Sequence, residues 1–388
     1  MPGKKDLTLL FSVRLLSAMG VTLILPVLPT MMHTFGLSAA AAGMVVVSFT
    51  LAEAAMTPVA GVLSDRFGRK AVLLPSLLVF ALGGVLCLFA DTWEEVLLYR
   101  IVQGLGAGPL GVLYTILAAD MYDEAHLPRI MGRLTAVDSL GTIVYPILGG
   151  VLGEWSWRAP FAVFTLALPA AFLSLYVTLR GAEKGMDWGA YAKESLNTLR
   201  ERRSIGFFIL VFLCYCVIYG PVNTCYPLMA EARYHASPSR IGIVFCMVAV
   251  GSYIASAGLP HLHKRWSFRT LMIAAGLFYT VPTAFLALTP GLWLSVLPLL
   301  VFGMAQGLSL PIINDSVALL APSDDRAAIL AVSETFVRVS QGVSPLLFTF
   351  IWMRWLWDGT YGAGAAAGLI ILAVVLFLFS PRRAPDRA

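Results

Sequence analysis

The chain has 388 residues, of which 59% are hydrophobic and only 13% charged, with a formal net charge of +5 and a mean hydropathy of +0.81. A water-soluble domain is roughly one quarter charged, so this balance excludes an ordinary soluble enzyme. Apolar stretches recur at about the 20 residues a helix needs to cross a bilayer, which makes lipid the organising solvent.

Lys4 and Lys5 precede the first apolar run, 7–31, which is too long for the h-region of a signal peptide and lacks a small-residue cleavage site. It is read as a first spanning helix. Runs at 38–61, 71–90, 95–119, 130–153 and 159–180 complete a first set of six. The one long polar stretch, Gly181 to Ser204, mixes acids and bases such as Glu183, Lys184, Asp187 and Arg200. A second set follows at 204–230, 239–260, 269–289, 291–319, 327–353 and 361–380. The expectation is an all-α membrane protein with twelve transmembrane helices in two pseudo-symmetric six-helix bundles, residues 1–180 and 204–388, joined by a cytoplasmic linker, 181–203.

Two echoes support a repeat. Gln103-Gly104-Leu105 recurs as Gln306-Gly307-Leu308, an offset of 203 residues. Ser38 through Gly43 matches Ser237 through Gly242, where Ser237 is placed to cap a helix and Pro238 to occupy its first turn.

Basic residues gather in alternate connections: Arg66, Arg69 and Lys70, then Arg129 and Arg133, then Lys264, Arg265 and Arg269, then Arg382 and Arg383. The intervening ends hold only Arg158, Arg233, Arg240 and Arg354. This positive-inside bias places both termini in the cytoplasm and accounts for the net charge, so nucleic acid is not an expected partner. Cys87, Cys214, Cys216, Cys225 and Cys246 lie in apolar segments and read as packing residues. Neither Cys214 with Cys216 nor His261 with His263 offers enough ligands for a metal. No Gly-x-x-x-x-Gly-Lys-Ser/Thr loop and no His-Glu-x-x-His pair occurs, so neither a cofactor nor ATP-driven or metalloenzyme chemistry is expected.

Between the second and third runs the chain reads Gly61-Val62-Leu63-Ser64-Asp65-Arg66-Phe67-Gly68-Arg69-Lys70. Gly61 is placed to let helices approach, Gly68 to make a tight turn, and Asp65 and Arg69 lie one helical turn apart. This loop resembles the first cytoplasmic loop motif of the major facilitator superfamily, Gly-x-Leu-x-Asp-Arg-x-Gly-Arg-Lys, at every fixed position. The resemblance implies a gate in which Asp65 faces the start of the eleventh helix, near Arg326 to Leu330, and Arg69 pairs with Asp120. The matching loop of the second half, His261 to Arg269, keeps basic charge without acid or glycine, so the expected gate is asymmetric.

The fourth run carries Arg100-Ile101-Val102-Gln103-Gly104 with Gly108 at small-xxx-small spacing. Arg100 is read either as snorkelling to the interface or, by family resemblance, as a fixed cavity charge beside a proton site. Gly141-Thr142-Ile143-Val144-Tyr145-Pro146-Ile147-Leu148-Gly149-Gly150 in the fifth run is similar to a motif of drug:proton antiporters, with Tyr145 in place of a glycine and Pro146 set to kink the helix.

Glu53, Asp138, Glu334 and Arg338 are ionisable groups deep in apolar runs, costing about 3 kcal/mol each unless they serve a purpose. Glu334 and Arg338 have i, i+4 spacing for an ion pair. The family arrangement offers Arg338 to Glu53 instead, with Asp138 as the other candidate proton carrier. Pro26, Pro29, Pro221 and Pro227 should bend the first and seventh helices, and Tyr114, Asn223, Tyr226 and Gln306 are candidate cavity residues. The expected function is proton-coupled export of a small amphipathic compound by alternating access, by a monomer in the plasma membrane contacting lipid. Alternatives are an importer or facilitator of a polar metabolite, a non-transporting receptor and an integral-membrane enzyme.

Overall fold

The computed structural model describes residues 4–123, 126–177, 179, 202–318 and 326–378. The first six helices are α1 (Lys4–Phe35), α2 (Ala39–Phe67), α3 (Arg69–Leu88), α4 (Trp93–Met121), α5 (Leu127–Gly153) and α6 (Ala159–Tyr176). Then come α7 (Ile205–Tyr234 with a lead-in from Arg202), α8 (Pro238–Arg265), α9 (Phe268–Leu288) and α10 (Leu292–Val317). The last helical stretch, Arg326–Leu378, runs for 53 residues through a break at Leu356, where φ is 53° and ψ −152°. Straight, it would measure roughly 80 Å, more than twice a hydrocarbon core. The break divides it into α11 (326–355) and α12 (357–378), so eleven long apolar segments contain twelve crossings.

Local chemistry explains the boundaries. Ser38, Thr92 and Ser267 cap α2, α4 and α9, and Thr92 with Glu95 closes a full capping box. Pro26 and Pro29 interrupt α1: a 3-10 turn, Leu25–Val27, separates two α-helical pieces. Around Pro221, which has no N–H to donate, α7 widens into a π-helix, Ile218–Cys225. Gly68 turns the chain between α2 and α3 at φ 90°, where a side chain would be strained.

The helices form two compact units. The first holds α1–α6 together with Ser237–Ile243; the second holds α7, the rest of α8 and α9–α12. The expected linker lies almost wholly outside the described residues, as do residues 379–388.

In the first unit α4 lies against α2. A Cβ on Gly104 would come within 2.3 Å of the Phe49 carbonyl oxygen, and one on Gly108 within 2.6 Å of that of Glu53. In the second unit α10 lies against α8 in the same way, with Gly303 on the Val248 carbonyl oxygen and Gly307 on that of Ser252. These pairs are related by 199 residues. The same offset links Pro146 to Pro345 and the left-handed residues Gly36 and His235 that end α1 and α7. The echo at 203 is therefore one helical turn out of register, and the true partner of Gly104 is Gly303. Both glycine ladders repeat every four residues, which is why the sequence admits the slip.

At its start, α8 is held within the first unit by α5. A Cβ on Gly150 would meet the Pro238 carbonyl, and one on Gly242 the Pro146 carbonyl. The Glu154 carboxylate accepts hydrogen bonds from the Ser239 N–H at 3.1 Å and its hydroxyl at 2.5 Å. Although partial burial pushes the Glu154 carboxyl up, bonds from Ser239 and Ser237 and the charge of Arg240 hold it below the usual glutamate value. A carboxylate from the residue that follows α5 thus serves the cap expected of Ser237.

Candidate functional site

Among the described residues of the first unit, two ionic clusters join helices that carry the candidate site residues. At the α2–α3 turn, Arg69 donates from Nε to Asp120 of α4 at 2.9 Å and from Nη1 to the Ser64 hydroxyl at 3.0 Å, and it pairs with Asp65. Arg69 is buried, while Asp65 and Asp120 are partly accessible. Its planar fork therefore ties α2, α3 and α4 together. Arg66 points outward beside Phe67, at 5.4 Å from the ring. A Cβ on Gly61 would meet nothing within 4 Å among the described residues. The side chains of residues 326–330, expected to face Asp65, lie outside the described residues.

The second cluster spans α1, α4 and α5. Arg14 Nη2 lies 2.8 Å from Asp138 Oδ2, with side-chain exposures of 20% and 26%, so the pair is half-buried yet reachable. The Arg14 guanidinium sits over the Tyr114 ring at 4.3 Å, and its Nη1 reaches the Ser17 hydroxyl at 3.5 Å. Arg14 Nε is buried without a hydrogen-bond partner. Tyr145 donates its hydroxyl to the Leu15 carbonyl at 2.9 Å, and its ring occupies the space beside Gly141. At the far end of this α1–α5 contact, Gly149 meets the Leu23 carbonyl.

The sequence marks Asp138 and Tyr114 for separate roles; the structure brings them together through Arg14, a residue that sequence reasoning passed over. A signal was available. Arg14 and Asp138 lie 10 and 11 residues from the starts of α1 and α5, both odd-numbered helices, so opposite charges stand at equal depth.

Arg100 is fully buried. It donates to the carbonyls of Gly20 at 2.9 Å and Val45 at 3.3 Å and to Gln103 Oε1 at 2.6 Å, and it stacks on Phe49 at 4.2 Å. It neither snorkels nor faces open space, because three helices supply its acceptors from within the protein. Glu53, also buried, acts electrostatically on Arg100, while Thr57 bonds to the Glu53 main-chain carbonyl at 2.8 Å.

In the second unit Arg338 stands 3.8 Å from Glu334 and donates to Gln341 at 3.2 Å. Glu53 and Arg338 thus belong to different units, and each has an electrostatic neighbour in its own. Asn223 lies in the π-helical stretch and is buried. Tyr226 corrects its assignment as a cavity residue: it is fully buried and its hydroxyl is shared with Ser295 at 2.5 Å. Gln306 is half-buried on α10.

The 199-residue offset shows how unequal the units are. Arg14, Glu53, Arg100 and Asp138 fall opposite Leu213, Ser252, Leu299 and Val337. The membrane-embedded charge network of the first unit has no counterpart at these positions in the second.

Comparison with known proteins places this geometry. The chain is 26% identical over 385 residues to the class B tetracycline resistance protein of Escherichia coli, covering 95% of each. It is 27% identical over 294 residues to multidrug resistance protein 1 of Bacillus subtilis, covering 75% of each. Its fold matches the crystal structure of the nucleoside transporter NupG with a TM-score of 0.78, covering 97% of this chain and 100% of that one at 15% identity. The sequence profile of the Major Facilitator Superfamily matches residues 10–232 and 207–388. The chain is a multi-pass integral membrane protein and a transporter, and it belongs to the Major Facilitator Superfamily.

Proposed function

We propose that this transporter exports a small amphipathic compound in exchange for protons, by alternating access, and that Asp138 carries the proton. The observation that carries this reading is the Arg14–Asp138 pair: a carboxylate and a guanidinium on different helices, 2.8 Å apart and partly accessible. A carboxyl at such depth must be paired or neutral. Exchanging its arginine for a proton converts one state into the other and loosens α1 from α5, which links a chemical event to helix movement. The resistance proteins and exporters among the relatives support export. In this reading the cluster at Arg69, Asp65 and Asp120 closes the cytoplasmic side, both termini are cytoplasmic, the protein sits as a monomer in the inner membrane, and the bundles divide at the 181–203 linker.

Inside-out vesicles with an imposed pH gradient test it, using tetracycline as the reporter. Asp138→Asn is expected to abolish pH-driven accumulation, because the amide imitates the protonated acid and cannot release a proton. Glu53→Gln is the comparison. Proton-driven accumulation retained by the Asp138 variant and lost by the Glu53 variant would move the assignment to Glu53.

A further inference from the structure

We propose that the Arg14–Asp138 pair is itself the binding site for the transported compound, and that it selects ligands carrying both a cationic and an anionic group on a planar aromatic body. This deepens the exchange reading above and rests on it.

The argument starts from what the pair leaves open. Arg14 uses Nη2 on Asp138 and Nη1 on Ser17, and its buried Nε has no acceptor. Asp138 meets the guanidinium through Oδ2. One face of the guanidinium is covered by Tyr114. The site therefore gathers a guanidinium with one donor still unused, a carboxylate and an aromatic ring in one small region, where the Arg14 and Asp138 side chains are 20% and 26% exposed.

Charge then decides which ligand can enter. A monocation that draws Asp138 away leaves the guanidinium half-buried without a counter-ion, and a monoanion that takes Arg14 strands the carboxylate. Breaking a buried pair by removing one partner is strongly unfavourable. A ligand with both charges replaces each partner as it separates them, so its amine rests on Asp138 and its acidic oxygens on Arg14, in the bidentate manner a guanidinium favours. Its aromatic body lies against Tyr114.

The same arrangement makes binding and protonation exclusive. A proton on Asp138 removes the partner of the ligand's amine, so the compound leaves as the proton arrives. A purely anionic ligand would instead bind together with the proton, which is the signature of co-transport. The choice of a doubly charged ligand is thus tied to exchange.

The test uses one fluorescent core in four charge forms: norfloxacin, with its amine and carboxylate; its methyl ester, a cation; its N-acetyl derivative, an anion; and the N-acetyl methyl ester, which is neutral. Binding to the purified full chain is followed by fluorescence at neutral pH. Norfloxacin is expected to bind at least about tenfold more tightly than each of the others. In the Arg14→Gln/Asp138→Asn variant, which changes no net charge, that preference should disappear while the neutral form binds as before. A single-charge form that equals norfloxacin, a preference that survives in the double variant, or binding of none of the four overturns the proposal. If the preference stands and pH-driven transport fails, the exchange reading falls and the site does not. Thermal unfolding of the double variant, expected to match the parent, confirms that the comparison is made on folded protein.

Discussion

Arg14 and Asp138 meet because an inward-facing charge in an apolar helix has few ways to be satisfied, and an opposite charge at equal depth on a neighbouring helix is one of them. Glycine positions give the same kind of local test. Gly149 packs on the Leu23 carbonyl, where a Cβ would sit 1.8 Å away, whereas one on Gly61 would meet nothing within 4 Å among the described residues. Gly149→Ala is expected to destabilise by about 1–3 kcal/mol, because backbone must shift to admit it, and Gly61→Ala to leave the thermal midpoint unchanged; scanning both variants in detergent checks the contrast. Arg100 shows where motif reasoning stops: its depth in α4 is plain in the sequence, but its acceptors are carbonyls of α1 and α2, and every residue has a carbonyl.

Helix boundaries were the most legible feature, because caps, prolines and charged turns are local signals. Two elements were not legible at that level. The π-helical stretch of α7 depends on which hydrogen bond the chain closes around Pro221, and the α11–α12 break replaces an expected loop with one non-helical residue. Leu356 is 54% exposed and holds φ 53°. Leu356→Gly should therefore raise stability by about 1 kcal/mol, as strain relief exceeds lost burial, measurable as a higher midpoint of unfolding. The register of the repeat was only partly legible: helix starts specify 199, and a glycine ladder with a four-residue period permits 203 as well. At the start of α8, the Glu154 clasp carries its own pH signature. Its carboxyl lies below the usual value in the folded chain, so its contribution is complete above the unfolded value, about 4.5, and is lost as pH falls through the folded one. Glu154→Gln should lower the unfolding midpoint at neutral pH, and the difference should shrink as the pH falls below 4.5 and the carboxylate takes up its proton.

For the whole molecule, the repeat equips two units with one helix plan and places the charges of Arg14, Glu53, Arg100 and Asp138 in the first, with none at the matching positions of the second. The expected topology has a convenient handle, since all five native cysteines are buried. A single cysteine placed at Asp386 should react with a membrane-impermeant maleimide only from the cytoplasmic side, against a quiet background; labelling of intact cells would reverse the orientation. The contact of α1 with α5 has a further mechanical meaning. It is tight at Gly149 and Leu23, beside the interruption of α1 at Leu25–Val27, and ionic at Arg14 and Asp138, nine residues nearer the start of α1. That is a fulcrum with a lever arm of roughly 14 Å. A swing of about 10° around it would carry Arg14 through some 2 Å, enough to break a hydrogen bond without disturbing the pivot. Proton arrival at one carboxyl would in this way be magnified into the displacement of an entire half-helix.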